Sequence, residues 1–578
     1  MCGIFSLLNI DTNITTMDFI NEEFMKGVGR GPENSVLTMS GSKVMFGFHR
    51  LAINGLNPES NQPIENGDIK LICNGEIYNY KELYRELEIE PNTGSDCEVI
   101  IHLYKRFGME RTLQILDGVF AFILLDYNNY DDNAKLFVCR DPFGVRPLYM
   151  LYPKENSKKQ YYGFASELKC ISGFHKIFID YDIKQVKPGS YSSFELSYKV
   201  SSSWELKDLE RKYHFPSVIA SQYKNFNYTV EIDYWIPILQ KQLVQAVEKR
   251  CVTTERPIAC LLSGGLDSSL ITALVNDFHK QHELPQLETY SIGLHGSVDL
   301  KYAKIVADYL GTKHTEIILT EEDFLNAIPE VIEKIESYDT TSVRASIGNY
   351  LLGKYIKANS EAKVIFNGDG SDELTGGYLY FHKAPNSVEF DLECRRLLED
   401  IHLYDVLRSD KCISTHGLEP RTPFLDREWV QTYLSIPAEI RFHVVHGEPE
   451  KHLLRSTFAN YNDTSGKRLL PHEVLWRTKE AFSDGVSKTT RSLYEIIQDH
   501  IQNVYVSIQK IYEHLPPKSL EQEYYRHIFE EKYPGLGKIV PYFWMPRFIE
   551  GATDASARTL DIYKKINEKN NIKTFSKI

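Results

Sequence analysis

The sequence has no excess of basic residues: 66 Lys and Arg stand against 79 Asp and Glu, a net charge of −13 over 578 residues. Nucleic acid needs clustered cations, so a primarily nucleic-acid-binding surface is excluded, while local basic pockets for a small polyphosphate stay open. No apolar run approaches bilayer length, and Asp11, Glu22 and Glu23 fall where a signal peptide would be apolar. A cytoplasmic location is therefore expected, with no membrane partner. Nine cysteines, an odd number without a C-x-x-C pair, suit neither a disulfide framework nor a tetrahedral zinc site. Internal repeats are lacking too. What is present is a globular composition, 42% hydrophobic and 25% charged, long enough for at least two domains.

Residues 1–200 read as short strands rich in aromatic and β-branched residues, such as "KVMFGFHRLAI" and "GVFAFILLDY", broken by Gly, Asn, Asp and Pro. That pattern predicts an α+β domain of antiparallel strands. Residues 201–228 lose periodicity and read as a linker. A helix is expected to start close to Pro237, with Ile236, Leu239, Leu243 and Val247 on one face. Strand, glycine loop and helix then follow as "PIACLL", "SGGLDSS" and "SLITALVNDF", and the order returns loosely at "KVIFNGDGSDE". A parallel α/β sheet over 229–540 is predicted, with 541–578 as a peripheral tail.

The loop from Ser263 to Ser269 has the makings of a phosphate cradle. Gly264 and Gly265 let backbone N–H groups approach an anion, the next helix adds its positive end, and Ser263, Ser268 and Ser269 offer hydroxyls. It lacks the Gly-Lys-Ser/Thr of a Walker loop, so ordinary γ-phosphoryl transfer is not indicated. Asp267 would repel phosphate unless Mg2+ lay between them. Loops at the carboxyl ends of parallel strands share a crevice, so the second acidic loop, Gly368 to Glu373, could bring Asp372 to the same ion. Each loop read alone is equally a glycine turn with a helix cap.

With these stretches in place, the chain resembles the glutamine-dependent asparagine synthetases. The resemblance rests on "SGGLDSS", "SYDTTSVRAS" (337–346), "EPRTPFLD" (419–426), "EKHLLR" (450–455) and "KEAFSDGVS" (479–487) in the second half. In the first it rests on "MCGIF", "RGP" (30–32), "NGEIYN" (74–79), "TGSDCEVI" (93–100) and "RDPFGVRPLY" (140–149). It implies an N-terminal nucleophile (Ntn) glutaminase domain of layered antiparallel sheets, then an adenine nucleotide alpha-hydrolase-like domain with a parallel sheet. It also implies ATP as substrate with Mg2+ on Asp267 and Asp372, aspartate activated as β-aspartyl-AMP, and ammonia passed from glutamine. A homodimer is the family expectation.

The same resemblance assigns roles. Leu261, Ile292, Asn367 and Gly368 line the nucleotide site, Lys451 neutralises phosphate charge, and Thr341 and Arg344 are candidates for aspartate. Cys2, once Met1 is removed, is the glutaminase nucleophile with its own α-amine as base. Asn74 and Gly75 form the oxyanion hole, Arg50 and Asp96 hold the glutamine carboxylate and ammonium, and Leu51, Ala52, Ile53, Asn54 and Glu76 line that pocket. By local pattern alone Cys2 is an ordinary early cysteine, Asn74-Gly75 a hairpin turn, Asp96 a helix cap and Lys451 a solvated surface lysine. Asp369 replaces the family's Glu and is one methylene shorter, a setback of about 1.5 Å, yet is expected to serve. Val28, Gly29, Glu33, Ala52, Asn54, Gly55, Ser342 and Ala481 also depart from the family's usual residues. The alternatives are another amide-forming enzyme, such as a β-lactam synthetase-like cyclase, and a silent nucleotide-binding homologue.

Overall fold

The protein is described by a computed structural model covering all residues except 12–13, 42, 128–132, 198–202, 216–227, 480–484, 488–490, 509, 552–553, 555 and 557–578. In the first half two six-stranded sheets, each antiparallel throughout, lie face to face. One runs in the order Tyr181–Gln185, Tyr149–Pro153, Tyr162–Ala165, Gly3–Leu8, Val44–Arg50, Asn34–Gly41. The other runs Glu205–Lys212, Ser190–Ser197, Asn133–Arg140, Gly118–Asp126, Ile69–Ile77, Ile64–Asn66. Ile4, Leu8 and Phe46 meet Ile72, Ala121 and Ile123 between the sheets, and helices Tyr80–Leu87 and Val99–Ile115 cover the outer face of the second. Period-two burial puts Ile72 and Asn74 on the inner face and Cys73 on the outer. The strand Glu205–Lys212 falls inside the stretch read as a linker; it forms the sheet's edge, its charged residues facing water.

The second half is built on a five-stranded parallel sheet, ordered Lys313–Leu319, Glu288–Leu294, Ile258–Leu261, Val364–Phe366, Glu419–Arg421. The chain enters at the centre, adds two strands outward on one side, then crosses back to add two on the other. The direction reverses between Ile258–Leu261 and Val364–Phe366, and such a switch point opens a crevice at the carboxyl ends of the two strands. Both glycine loops leave from those ends.

Two expectations fail here. The helix does not begin near Pro237 but spans Tyr228–Val252 with Pro237 inside it. Loss of one backbone hydrogen bond is tolerated because Leu239, Leu243 and Val247 are fully buried along the same element. Nor is the stretch after 540 peripheral throughout. Trp544 packs with Tyr380 and Phe390, and its N–H donates to Asp339 at 2.8 Å.

The halves share their cores. One apolar cluster joins Leu51, Tyr78 and Phe143 of the first half to Leu239 and Phe424 of the second. Another joins Phe5 and Tyr149 to Ile335 and Tyr533.

Candidate functional site

The two glycine loops meet. At Gly368 an added Cβ would lie 2.8 Å from both the backbone carbon of Asp267 and the nitrogen of Ser268, so only glycine lets the second loop close on the first. Gly264 has φ +72° and faces the backbone of Ala303 at 2.4 Å from the same ideal position, so here glycine is required twice over. Ser263 and Ser268 hydroxyls lie 2.9 Å apart across the turn.

Lys451 is the hub of this crevice. It is 2% exposed, so it is no solvated surface lysine, and it holds a left-handed backbone, φ 60°. Its ammonium sits 2.6 Å from carboxylate oxygens of both Asp267 and Asp372. Lys479 adds a second ammonium 2.5 Å from Asp372, and its backbone N–H donates to Glu450, which also receives Arg455. Against the effect of burial, Lys451 and Lys479 hold the Asp372 carboxyl well below the usual carboxylate range. Gly377 closes the floor, since a Cβ there would meet the Lys451 Cε and the Asp372 carboxylate.

Leu261, Ser263, Gly265, Asp267, Ser268, Ile292, Asn367, Gly368, Asp369 and Thr341 all line one pocket with this hub. Gly264 and Ser269 stand outside its lining, Gly264 serving the turn and Ser269 buried in the helix behind. Thr341 presents a hydroxyl without a protein partner. Arg344 is a correction. It lies 4% exposed outside the pocket, its guanidinium held by Glu521 and Asp554 at 2.5 and 2.8 Å. The reason is helical phase: helix Thr340–Asn359 turns Thr341, Ala345, Asn349 and Leu352 to the pocket, and residue 344 faces elsewhere. An arginine that does line the pocket beside Asp369 is Arg408, 3.2 Å from Asp369 and 2.7 Å from Asp405. Nothing in its sequence neighbourhood marks it. Asp369 keeps its other oxygen unpartnered. Of the "KEAFSDGVS" stretch, residues 480–484 lie outside the described residues, including the Ala481 departure.

In the first half, Asn74-Gly75 is no turn: both sit within the strand Ile69–Ile77, opposite Ala121 and Phe120. Phe120 turns its carbonyl to the strand beyond, accepting from Asp141 at 2.8 Å, so its partner Gly75 turns its own N–H and C=O away from this neighbour. Asn74 is fully buried with neither amide atom hydrogen-bonded, an unusual state for a polar side chain, in the layer where Cys2 packs. The Cys2 thiol is 3.5 Å from the Leu51 carbonyl, and burial raises its pKa. Asp96 does not cap a helix; Ser95 does. Asp96 instead accepts from the Ile77 N–H at 2.7 Å and Asn54 at 3.4 Å, and burial lifts its pKa to about 6. Asn54 also donates to Glu76, which stands 3.4 Å from Arg421 of the second half. Ala52 donates its N–H to Glu33, and Ile53 accepts from the Glu255 N–H. Arg50 gives its terminal donors to loop residues Gly55, Asn57 and Asn61.

One short helix touches both regions. Asp405–Ser414 carries Asp405 and Arg408 in the pocket at one end. At the other, Asp410 and Ser414 clamp the buried Arg30 at 2.7 and 2.9 Å, and Arg30 donates Nε to the Cys2 carbonyl at 2.9 Å. Among the described residues no group of three or more His, Cys, Asp or Glu side chains is placed to hold a metal. Among the same residues no helix is long and apolar enough to cross a membrane.

Comparison with known proteins agrees with this division. Residues 239–394 and 385–538 match the Asparagine synthase family, and residues 1–202 the Glutamine amidotransferase domain. The chain is 40% identical over 580 residues to a glutamine-hydrolyzing asparagine synthetase of Gallus gallus, covering 98% of this chain and 99% of that one. Its identity to the Rattus norvegicus enzyme of that name is 40% over 584 residues, and to the Homo sapiens enzyme 39% over 581, with the same coverage.

Proposed function

The chain belongs to the glutamine-hydrolysing asparagine synthetases, a family of ligases, and from that premise we propose how its residues divide the reaction. The observation that carries the proposal is the meeting of the two acidic loops on Lys451 and Lys479. ATP takes the pocket with its phosphates on the Ser263 loop. The aspartate side-chain carboxylate attacks the α-phosphorus, giving β-aspartyl-AMP, and Lys451 and Lys479 neutralise the departing pyrophosphate. Thr341 and Arg408 replace the expected Thr341 and Arg344 as partners of aspartate, Arg408 by a charge-assisted grip on a carboxylate. Asp369, tied to Arg408 through one oxygen, accepts the proton of incoming ammonia on the other.

Asp267 and Asp372 fit Mg2+: two hard carboxylates converge where the phosphates belong, and Mg2+ commonly asks no more of a protein than one or two. Bound there, the ion would supply charge neutralisation beside the lysines.

In the other half, Cys2 attacks the glutamine amide, with its α-amine, freed on removal of Met1, taking the thiol proton. Asn74 and the outward-turned Gly75 N–H receive the oxyanion. Arg50 faces the glutamine carboxylate and Asp96 its ammonium. A cytoplasmic location, which the acidic N-terminal stretch around Asp11, Glu22 and Glu23 favours, and a homodimer, carried by the family alone, complete the proposal.

The test is product analysis. Incubation of aspartate, ATP and Mg2+ with glutamine is expected to yield asparagine, AMP, pyrophosphate and glutamate in equal amounts. Pyrophosphate without asparagine would refute the reading.

Acidity should act on the glutamine half first. A pKa raised to about 6 leaves Asp96 neutral below that pH and charged above it, so its hold on the substrate ammonium is present above and lost below. Beyond the fall that protonation of the Cys2 α-amine causes, we expect kcat/KM for glutamine to lose roughly a further tenfold between about pH 7 and 5, while ammonium-supported synthesis, corrected for free ammonia, lacks that step. Glutamine kinetics flat across this window would rule out Asp96 as the ammonium partner.

A further inference from the structure

On an acidic chain, one cleft outside both sites is basic. It lies where the Val28–Arg30 turn of the first half meets helices Ile328–Ile335 and Thr340–Asn359 of the second, a cavity of about 420 Å³, within the range of small-ligand sites. Four lysines line it, Lys26 and Lys169 from one half and Lys334 and Lys354 from the other, with Arg30, against one lining carboxylate residue, Glu330. Each lysine has a carboxylate at its back: Glu23 for Lys26, Glu167 at 2.8 Å for Lys169, Glu333 at 2.9 Å for Lys334 and Glu330 at 3.9 Å for Lys354. An ammonium has three donors, and the partly exposed pairs of Lys26, Lys334 and Lys354 are weak, so donors remain there for a ligand, while the Lys169 pair is largely buried. His416 adds a ring nitrogen without a partner.

We propose that this cleft is a binding site for a small polyphosphate anion, distinct from the nucleotide pocket. An anion with two or more phosphate groups can reach lysines contributed by both halves at once, which one carboxylate or a monoanion cannot. Such a ligand would bridge the two halves beside Arg30, the residue that holds the Cys2 carbonyl.

The experiment is calorimetric titration of the full-length protein with inorganic pyrophosphate, free of Mg2+, at about 0.15 M salt. Wild type is expected to bind two equivalents, one on the Ser263 loop and one in the cleft. The K334E/K354E variant, altered at residues 27% and 62% exposed in their side chains, is expected to keep the first and to weaken the second at least tenfold. The milder K334Q/K354Q variant should lie between them, and normal ammonium-supported synthesis by either variant shows that its fold is intact. A single equivalent on wild type, or two unchanged equivalents on both variants, would overturn the proposal.

Discussion

Replacement of Cys2 by alanine is expected to abolish asparagine synthesis from glutamine, by at least ~10³-fold, while synthesis from ammonium stays within about twofold of wild type. The thiol is the nucleophile of the proposed hydrolysis, and an alanine methyl cannot form the thioester. The protein should tolerate the change: Cys2 is only half-buried, and its one hydrogen bond, to the Leu51 carbonyl, is a long thiol contact at 3.5 Å. Its backbone carbonyl, which Arg30 holds, is untouched. Glutamate release and asparagine formation, measured with each nitrogen donor, decide the matter. Loss of both activities would mean that Cys2 supports the fold rather than the chemistry.

Lys451→Met is expected to lower synthesis by roughly 10²- to 10³-fold with either nitrogen donor, leaving glutamine hydrolysis intact. Methionine keeps the unbranched stem to the ε position, one atom short of the ammonium, and removes the charge that joins Asp267 to Asp372. Lys479 remains beside Asp372 but stands 3.7 Å from Asp267, so it cannot replace the bridge without moving. The left-handed backbone at 451 is strained for methionine as it is for lysine, so the comparison isolates the ammonium. Pyrophosphate release reports the first effect and glutamate formation without ATP the second. Parallel loss of both would mean that the substitution acts through the fold.

Much of this was legible in the sequence where the signal was local. A buried strand, a glycine loop and a helix start are written in consecutive residues, and a switch point then brings "SGGLDSS" and "GDGSDE" together whatever lies between. Signals that depend on distant neighbours were not. Asn74-Gly75 carries the local mark of a hairpin, yet pairing with the strand Gly118–Asp126 overrides it. Arg344 sits three residues from Thr341 and shares its helix, but which arginine enters the pocket is decided by helix rotation and by Asp405 holding Arg408. Pro237 marks a helix boundary only where packing does not compensate for the missing bond. Beyond 540 the Lys- and Asn-rich composition hides Trp544, whose anchor, Asp339, lies 205 residues earlier.

The apolar clusters that run from one half into the other set how this molecule can move. Domains joined through a small polar seam swing about their linker, whereas a seam made of shared core has no surface on which to slide. Leu51 and Phe143 cannot part from Leu239 and Phe424 without opening a core. Breathing between the halves is thus a partial unfolding event. For a molecule as small as ammonia, which can escape through any transient gap, a joint that opens only by partial unfolding limits leakage to solvent.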